Sequence, residues 1–227
     1  RLIRWIGLLL AFAIASCAGL ETPLPTLEAD SAPTSLPPSQ NRVSPASLPE
    51  ICNCVLRFDQ ISIEEGLSQS SVHVILQDSR GFMWFGTEAG LNRYDGRTVT
   101  VYSHDIHDPD SLPNDFVWGL AEDAAGDLWV ATQGGGLARW DSQTDHFVRY
   151  PFDPKGADGL ASRQLRVVLV DRSGSVWIGS KDAGLARLDP KTGHWQSFRN
   201  IPGDPSSLAD DGVYALHEDS TGRLWVG

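Results

Sequence analysis

The chain has 227 residues, of which 41% are hydrophobic, enough for a folded core, so a wholly disordered protein is excluded. Its formal net charge of -11 at pH 7 argues against a protein that holds nucleic acid by its phosphates, since no basic stripe is present. Eight Trp and 22 Gly against a single Met favour strands and tight turns over a helical bundle.

The first 20 residues have the pattern of an export signal. Arg1 and Arg4 precede an apolar run from Trp5 to Ile14, and small residues follow, as in the charged, hydrophobic and cleavage regions of a signal peptide. The run is short for a helix that spans about 30 Å of hydrocarbon, and a transmembrane anchor is the alternative. The letters "IASC" that end at Cys17 resemble a bacterial lipobox, and this resemblance implies that Cys17 is lipidated.

A linker is predicted between this signal and the folded part. Residues 21–50 are dense in Pro, Ser and Thr with almost no aromatic side chain, and such a stretch stays extended and disordered. Residues 51–71 lead into the first repeat and contain Cys52 and Cys54. A disulfide across one residue is strained and a metal needs more ligands, so we interpret the two cysteines as thiols at a domain edge or a labile pair.

A nine-residue phrase then recurs. "DSRGFMWFG" begins at Asp78, and related phrases begin at Asp123, Asp171 and Asp219, at intervals of 45, 48 and 48 residues. A register kept at this period indicates a propeller or a repeat array. A helical array is disfavoured because no segment keeps apolar residues at helical spacing without an interrupting Gly or Asp.

Each period predicts four antiparallel strands. "SVHVILQD", "FMWFGT", "LNRYD" and "TVTVYS" read as strands, and the first two are joined by an Asp-x-x-Gly turn. The sequence therefore predicts an all-β fold, an incomplete β-propeller of three blades and half of a fourth. The blades are predicted at about 72–103, 117–152, 165–198 and 213–227. The recurring Trp side chains are predicted in the core, and Gly86, Ala131 and Gly179 are predicted where inner strands converge.

The repeats resemble a known family. "DSRGFMWFGTEAGLNRYD", "DAAGDLWVATQGGGLARWD" and the linking loop "HDPDSLPNDFV" resemble the two-component regulator propeller repeat, over Phe58 to Gly227. The resemblance implies an extracytoplasmic sensor, which in fuller members is followed by a β-sandwich, a membrane span and a histidine kinase or diguanylate cyclase. In gut bacteria such sensors often detect oligosaccharides. Because the chain starts with Arg1 and ends inside a repeat, we interpret it as an N-terminal fragment.

No catalytic constellation is found in the sequence. Phosphate loops, zinc-protease motifs and nucleophile elbows are all missing. His104 and His107 lie among acidic residues, but a turn-rich loop explains that composition, so neither metal nor cofactor is expected. Some lyases are propellers with similar repeats and depend on His and Glu residues around the axis. Here only His73 begins a first strand, so an enzyme ranks third among the functions.

The leading prediction is a ligand-sensing propeller at the start of an exported, membrane-anchored signalling receptor. Its predicted partners are a small extracellular ligand, such as an oligosaccharide, the membrane through the N-terminal lipid or signal anchor, and a second copy in the full-length receptor. The alternative is a surface lipoprotein that binds a glycan or protein without signalling. Ligand contacts are predicted on the loops before strand one and after strand two. These residues are Gln69, Ser70, Glu88, Asn114, Asp115, Gln133, Arg163, Gln164, Lys181, Asp182, Asp210 and Asp211.

Overall fold

The computed structural model describes residues 59–155 and 159–227, and Gln60–Gly227 belong to one compact unit. The predicted signal in residues 1–20 with Cys17, the linker in residues 21–50, and Cys52 and Cys54 lie outside the described residues. Within the described ranges, no helix is long and apolar enough to cross a membrane. Their one helix is the short 3-10 turn Ile63–Glu65.

Fourteen strands follow this turn in chain order, grouped by repeat. Blade 1 contains β1 (Val72–Gln77), β2 (Met83–Thr87), β3 (Gly90–Tyr94) and β4 (Val99–Tyr102). Blade 2 contains β5 (Val117–Glu122), β6 (Leu128–Thr132), β7 (Gly136–Asp141) and β8 (His146–Arg149). Blade 3 contains β9 (Leu165–Val170), β10 (Val176–Ser180), β11 (Leu185–Asp189) and β12 (His194–Phe198). Blade 4 contains β13 (Leu216–Glu218) and β14 (Leu224–Val226).

Every blade is an antiparallel sheet in which strands adjacent in sequence are adjacent in space. This order is that of a propeller blade, whose strands run from the centre to the outer edge. The predicted fold class is confirmed, with three four-stranded sheets and a two-stranded sheet that holds the first two strands of a fourth blade.

The recurring Asp closes the turn between the first two strands and fixes the recurring Trp. In blade 2 the Asp123 Oδ1 atom accepts hydrogen bonds from the amides of Ala125 and Asp127, and its Oδ2 atom accepts one from the Trp129 indole at 3.0 Å. The corresponding indole bonds measure 3.0, 2.8 and 3.1 Å in blades 1, 3 and 4. Although partial burial acts to raise it, hydrogen bonds from hydroxyl, indole and amide groups hold the pKa of Asp171 below its ordinary value.

The glycine of the same turn has a backbone conformation that other residues avoid. Gly126 has a φ of 81° and donates its amide to the Asp123 carbonyl at 3.0 Å. The equivalent glycines of the other three repeats also have positive φ. This conformation costs glycine little because it has no Cβ, which explains why Asp-x-x-Gly recurs with the strands.

The prediction that the recurring tryptophans all lie in the core is confirmed for those of β2 and β6, whereas Trp177 in β10 is half-buried. Trp84 and Trp129 are both 0% exposed. Trp84 packs edge-on against Trp140 of the next blade, with ring centroids 4.8 Å apart, so this side chain joins two blades. Trp225 in β14 keeps the same hydrogen bond to Asp219, but it is 48% exposed.

The small residues at the ends of β2, β6 and β10 lie where inner strands meet, which confirms that prediction. A Cβ atom on Gly179 would lie 2.6 Å from Val167 Cγ1 and 2.7 Å from Val213 Cγ1. Gly86 is enclosed in the same way. Blade 2 has Ala131 at this position, and its cross-strand partner in β5 is Gly119.

We call the contact between two neighbouring blades a joint, and the hydrogen bonds next to the Asp-x-x-Gly turn differ from joint to joint. At the joint of blades 1 and 2, the Glu122 carboxylate accepts hydrogen bonds from the Ser79 amide and hydroxyl, the latter at 2.6 Å. At the joint of blades 3 and 4, Glu218 accepts one from the Arg172 amide at 2.9 Å. The equivalent residues between blades 2 and 3 are Ala124 and Val170, which offer no such pair. At this position, therefore, the joint between blades 2 and 3 has no acidic acceptor, although Arg166 and Gln133 link the same two blades elsewhere.

Candidate functional site

Two sets of loops meet on one face of the blades. The Gly90 amide, just after β2, donates to the Asp115 carbonyl, just before β5, at 2.9 Å. Gly134 and Gly184 of the next two blades donate in the same way to the loops before β9 and β13. In each pair of neighbouring blades, the loop after the second strand is therefore bonded to the loop before the first strand of the next blade. The two sets of loops form one continuous rim on the face predicted for both.

In β1, β5 and β9, the second residue is large and polar or aromatic, and its side chain contacts the loops of this rim. These residues are His73 in β1, Trp118 in β5 and Arg166 in β9, and with Glu88 and Gln133 from the loops after β2 and β6 they form what we call the rim cluster. His73 Nε2 lies 3.3 Å from Glu88 Oε1. The His73 ring lies 4.4 Å from the Trp118 ring, between centroids.

Arg166 occupies the other end of the rim cluster. Its guanidinium carbon lies 4.5 Å from the centroid of the Trp118 ring, a cation–π arrangement. Its Nη1 atom donates a hydrogen bond to Gln133 Oε1 at 2.7 Å. The same Gln133 oxygen accepts the Trp118 indole N–H at 2.9 Å, so one amide oxygen fixes both neighbours. The cluster thus runs from an acidic end through an aromatic centre to a basic end.

The rim cluster includes two of the predicted ligand residues, Glu88 and Gln133, and a third lies beside it. Gln69 Oε1 accepts a hydrogen bond from the Glu88 amide at 3.2 Å. Ser70 is exposed nearby in sequence. The sequence prediction did not include His73, Trp118 and Arg166 among the ligand residues, because it considered loops and these residues lie within strands. The sequence did contain a signal for them, because the strand position of His73 is occupied by a different large side chain in the next two repeats, Trp118 and Arg166.

The other predicted residues lie outside the rim cluster. Arg163 is exposed, and its guanidinium carbon lies 4.6 Å from the centre of the Phe152 ring. Lys181 is exposed, and its amide donates to the Gln164 carbonyl at 2.9 Å. Asn114, Asp182 and Asp210 use a side-chain oxygen to accept hydrogen bonds from Phe116, Ser162 and Gly212, respectively.

Asp115 and Asp211 have a structural task. Asp115 Oδ1 accepts the His104 amide at 2.6 Å, and Asp211 Oδ1 accepts the Asn200 amide at 2.8 Å. In each case the neighbouring side chain also contacts a loop carbonyl, His104 Nδ1 with Leu112 O at 2.8 Å and Asn200 Nδ2 with Leu208 O at 2.6 Å. The two linking loops therefore share one internal hydrogen-bond pattern.

We expect the Asp115→Ala variant to lower the free energy of unfolding by about 1–2 kcal/mol, because the His104 amide loses a charged acceptor. Ser70→Ala is the matched control, since Ser70 holds the equivalent position in blade 1 and makes no side-chain hydrogen bond to any described residue. Thermal unfolding followed by circular dichroism measures both. Equal melting temperatures for the two variants would show that the loop bond contributes nothing.

The histidines and acidic residues of the first linking loop serve its backbone. Asp105 and Asp108 accept hydrogen bonds from the amides of His107 and Asp110 at 2.8 and 2.9 Å. In the part of the chain that the structure describes, no group of three or more His, Cys, Asp or Glu side chains is arranged to hold a metal ion.

Comparison with known families agrees with this architecture. The family model described as two component regulator propeller matches residues 66–89, 111–134 and 207–227. Each match runs from the loop before an inner strand across the Asp-x-x-Gly turn. Three segments of the chain thus match the two-component regulator propeller repeat.

Relatives of these propeller repeats include signalling proteins. Histidine kinase P4 of Formosa agariphila is 44% identical over 55 residues, which cover 24% of this chain and 4% of the kinase. The extracellular domain of a protein described as a hybrid two component system from B. thetaiotaomicron matches with a TM-score of 0.67 and 27% identity. That match covers 74% of this chain and 23% of that domain. The chain thus spans about a quarter or less of these relatives' length.

The propeller fold is also shared with an enzyme. Virginiamycin B lyase from Staphylococcus aureus matches with a TM-score of 0.53 and 17% identity, over 71% of this chain and 50% of the lyase. At this identity the likeness concerns the fold alone.

Proposed function

We propose that this chain is the ligand-sensing propeller of an extracytoplasmic signal receptor of the two-component type. The rim cluster is the main support for this proposal, because it brings together five different polar and aromatic side chains. The fold would allow the same residue at the equivalent position of every repeat, yet these positions differ from blade to blade. The family of the repeats and the extracellular domain among the similar structures support the signalling context and the location outside the cytoplasm.

The ligand is proposed to be a small molecule, such as an oligosaccharide, held at the rim by loops and strand starts. Rigid strands beneath mobile or variable loops are a common arrangement for binding sites. We also propose that the receptor is attached to the membrane through its N-terminal segment and pairs with a second copy. Lipidation of Cys17 is part of this proposal and rests on the lipobox resemblance.

We further propose that this chain binds its ligand without transforming it. The His73 imidazole is packed against Phe116 and Trp118, with ring centroids 5.2 and 4.4 Å away, and its Nε2 atom faces Glu88. This packing holds the ring in place, and no second histidine joins it in the described rim cluster. A lyase is the competing function, because a His–Glu pair could act as an acid and base toward a bound substrate.

The test uses the extracytoplasmic region of the protein as its gene encodes it. Calorimetry against a panel of neutral and acidic oligosaccharides and amino acids is expected to show saturable binding by one chemical class. A His73→Ala/Trp118→Ala double variant is expected to weaken that binding at least about tenfold. Arg97→Gln is the control, since Arg97 lies in the exposed turn between β3 and β4.

Three outcomes would contradict the proposal. Unchanged affinity in the double variant would place the site elsewhere on the propeller. Chemical conversion of a bound compound, lost in His73→Ala, would support the lyase. Failure of every compound to bind, together with stable association with another protein and no change in cellular output, would support the surface lipoprotein instead.

A further inference from the structure

Arg166 has no acidic partner among the described residues, unlike five of the other ten described arginines. Arg80, Arg93, Arg139, Arg199 and Arg223 each lie within 4.0 Å of a carboxylate oxygen. Arg166 is partly buried, and among the described residues its guanidinium makes one hydrogen bond, to the neutral Gln133 side chain. A partly desolvated cation without a counter-ion is costly, so its position calls for a partner.

The neighbours of Arg166 hold its guanidinium in one orientation. Trp118 covers one face of the group and Gln133 fixes Nη1. Gln133 is itself fixed by the Trp118 indole. A guanidinium that is already oriented loses little conformational freedom when it binds a ligand.

Trp118 is unsuited to stack on a ligand, although it is the large aromatic residue at the centre of the rim cluster. Phe116 stacks on the Trp118 ring with centroids 5.3 Å apart. His73 and Arg166 also pack against this ring, at 4.4 and 4.5 Å from its centroid, so three neighbours already contact it. The Trp118 ring therefore serves to position its neighbours.

The hydrogen-bond donors left for a ligand lie at the basic end of the cluster. A guanidinium has five N–H donors, and one is used by Gln133. The Gln133 side-chain amide nitrogen makes no hydrogen bond to a described residue, so it adds a donor beside the guanidinium. The nearby carboxylates are engaged elsewhere, Glu88 with His73, Asp182 with Ser162 and Asp211 with Arg199.

We propose that the rim cluster binds an anionic group, a carboxylate or a sulfate ester, through the Arg166 guanidinium and the Gln133 amide, with Trp118 as a positioning residue. This inference rests on the proposed sensing function and adds the chemical class of its ligand. Both anions accept two parallel N–H bonds from a guanidinium. The ligand is thus recognised by its charge at this end of the rim, without stacking on the central Trp118 ring.

The test compares probes that differ in one acidic group, namely glucose, glucuronate and a glucose sulfate ester, in the encoded extracytoplasmic region. We expect at least one acidic probe to bind at least about tenfold more tightly than glucose, and its affinity to fall as the salt concentration rises. Preference between the two acidic probes identifies the anion. Equal affinity for all three probes, or no measurable binding of either acidic probe, would overturn the proposal.

Two variants locate the anion on Arg166. Arg166→Gln is expected to remove the acidic preference, and Gln133→Glu is expected to do so by supplying an internal counter-ion. Arg97→Gln removes the same charge from an exposed turn and is expected to change nothing. If both rim variants bind the acidic probe normally at unchanged melting temperature, the inference is wrong. If neither acidic probe binds the unaltered protein and a neutral compound from the panel does, sensing stands and the acidic class falls.

Discussion

Replacement of Trp129 by Ala is expected to lower the free energy of unfolding by about 3–5 kcal/mol. Trp129 is 0% exposed and belongs to a core cluster that includes residues of blade 3, such as Leu165 and Val168. Its ring also lies 5.0 Å from that of Tyr150. Truncation leaves a large cavity between two blades and deprives the partly buried Asp123 carboxylate of its indole partner. Chemical denaturation with a fluorescence or circular dichroism readout measures the loss.

Two further variants separate the contributions to this loss. Trp129→Phe keeps most of the ring volume and removes the indole N–H, so we expect a smaller loss of about 1–2 kcal/mol. Trp118→Ala removes an equally large side chain from the rim, and we expect it to affect ligand binding more than stability. Equal stabilities for Trp118→Ala and Trp129→Ala would contradict the distinction between a framework tryptophan in the core and a positioning tryptophan at the rim.

The Gly179→Ala variant is expected to lower the free energy of unfolding by about 2 kcal/mol, because the added methyl group overpacks the region where the inner strands of neighbouring blades meet. The new Cβ would lie 2.6 Å from Val167 Cγ1, 2.7 Å from Val213 Cγ1 and 2.8 Å from the Val213 carbonyl oxygen. The last contact involves backbone, which cannot rotate away. Denaturant unfolding of the variant measures the effect directly.

Blade 2 indicates how this loss can be recovered. There Ala131 pairs with Gly119. The residue equivalent to Val213 is Leu165, whose side chain branches at Cγ and not at Cβ. The chain thus exchanges a Gly–Val pair for an Ala–Gly pair at the same place. We expect Gly179→Ala/Val167→Gly to be more stable than the sum of the single changes predicts, by about 1 kcal/mol. Additive losses would show that the two positions do not share space.

The sequence was sufficient to predict the framework because each framework contact is local and recurs. The Asp–Trp hydrogen bond spans six residues, for example from Asp171 to Trp177, and the turn glycine lies between them. Such a contact repeats whenever the phrase repeats, so the spacing of 45 and 48 residues was enough to predict blades.

Contacts between repeats could not be predicted in this way. Tyr102 in β4 donates its hydroxyl proton to Asp145 at 2.8 Å, and the Trp140 indole donates to the same carboxylate oxygen. Asp145 is the non-glycine residue with positive φ among those described. No feature of the sequence near Tyr102 predicts a hydrogen-bond partner 43 residues away.

The rim cluster was hidden for a related reason. Its members differ from blade to blade, so a comparison of the repeats that looks for identical residues does not find them. Their association also depends on how neighbouring blades pack. Loop residues such as Asp115 carried the opposite risk, because variability at an exposed loop suggested recognition. In the structure Asp115 accepts a hydrogen bond from the His104 amide of its own loop, and its predicted role in ligand binding stays a prediction. The distinction needed the coordinates of both side chains.

The difference between the joints of neighbouring blades bears on how such a chain can be shortened or lengthened by recombination. Loss of blade 2 alone would place Ser79 opposite Val170, which has no side-chain acceptor for the Ser79 hydroxyl, whereas loss of blade 3 alone would place the Ala124 amide opposite Glu218. Loss of both blades together would bring Ser79 against Glu218, the same kind of joint that Glu122 makes now. At this position, removal of blades 2 and 3 together would therefore preserve a hydroxyl-to-carboxylate contact that removal of blade 2 alone would lose.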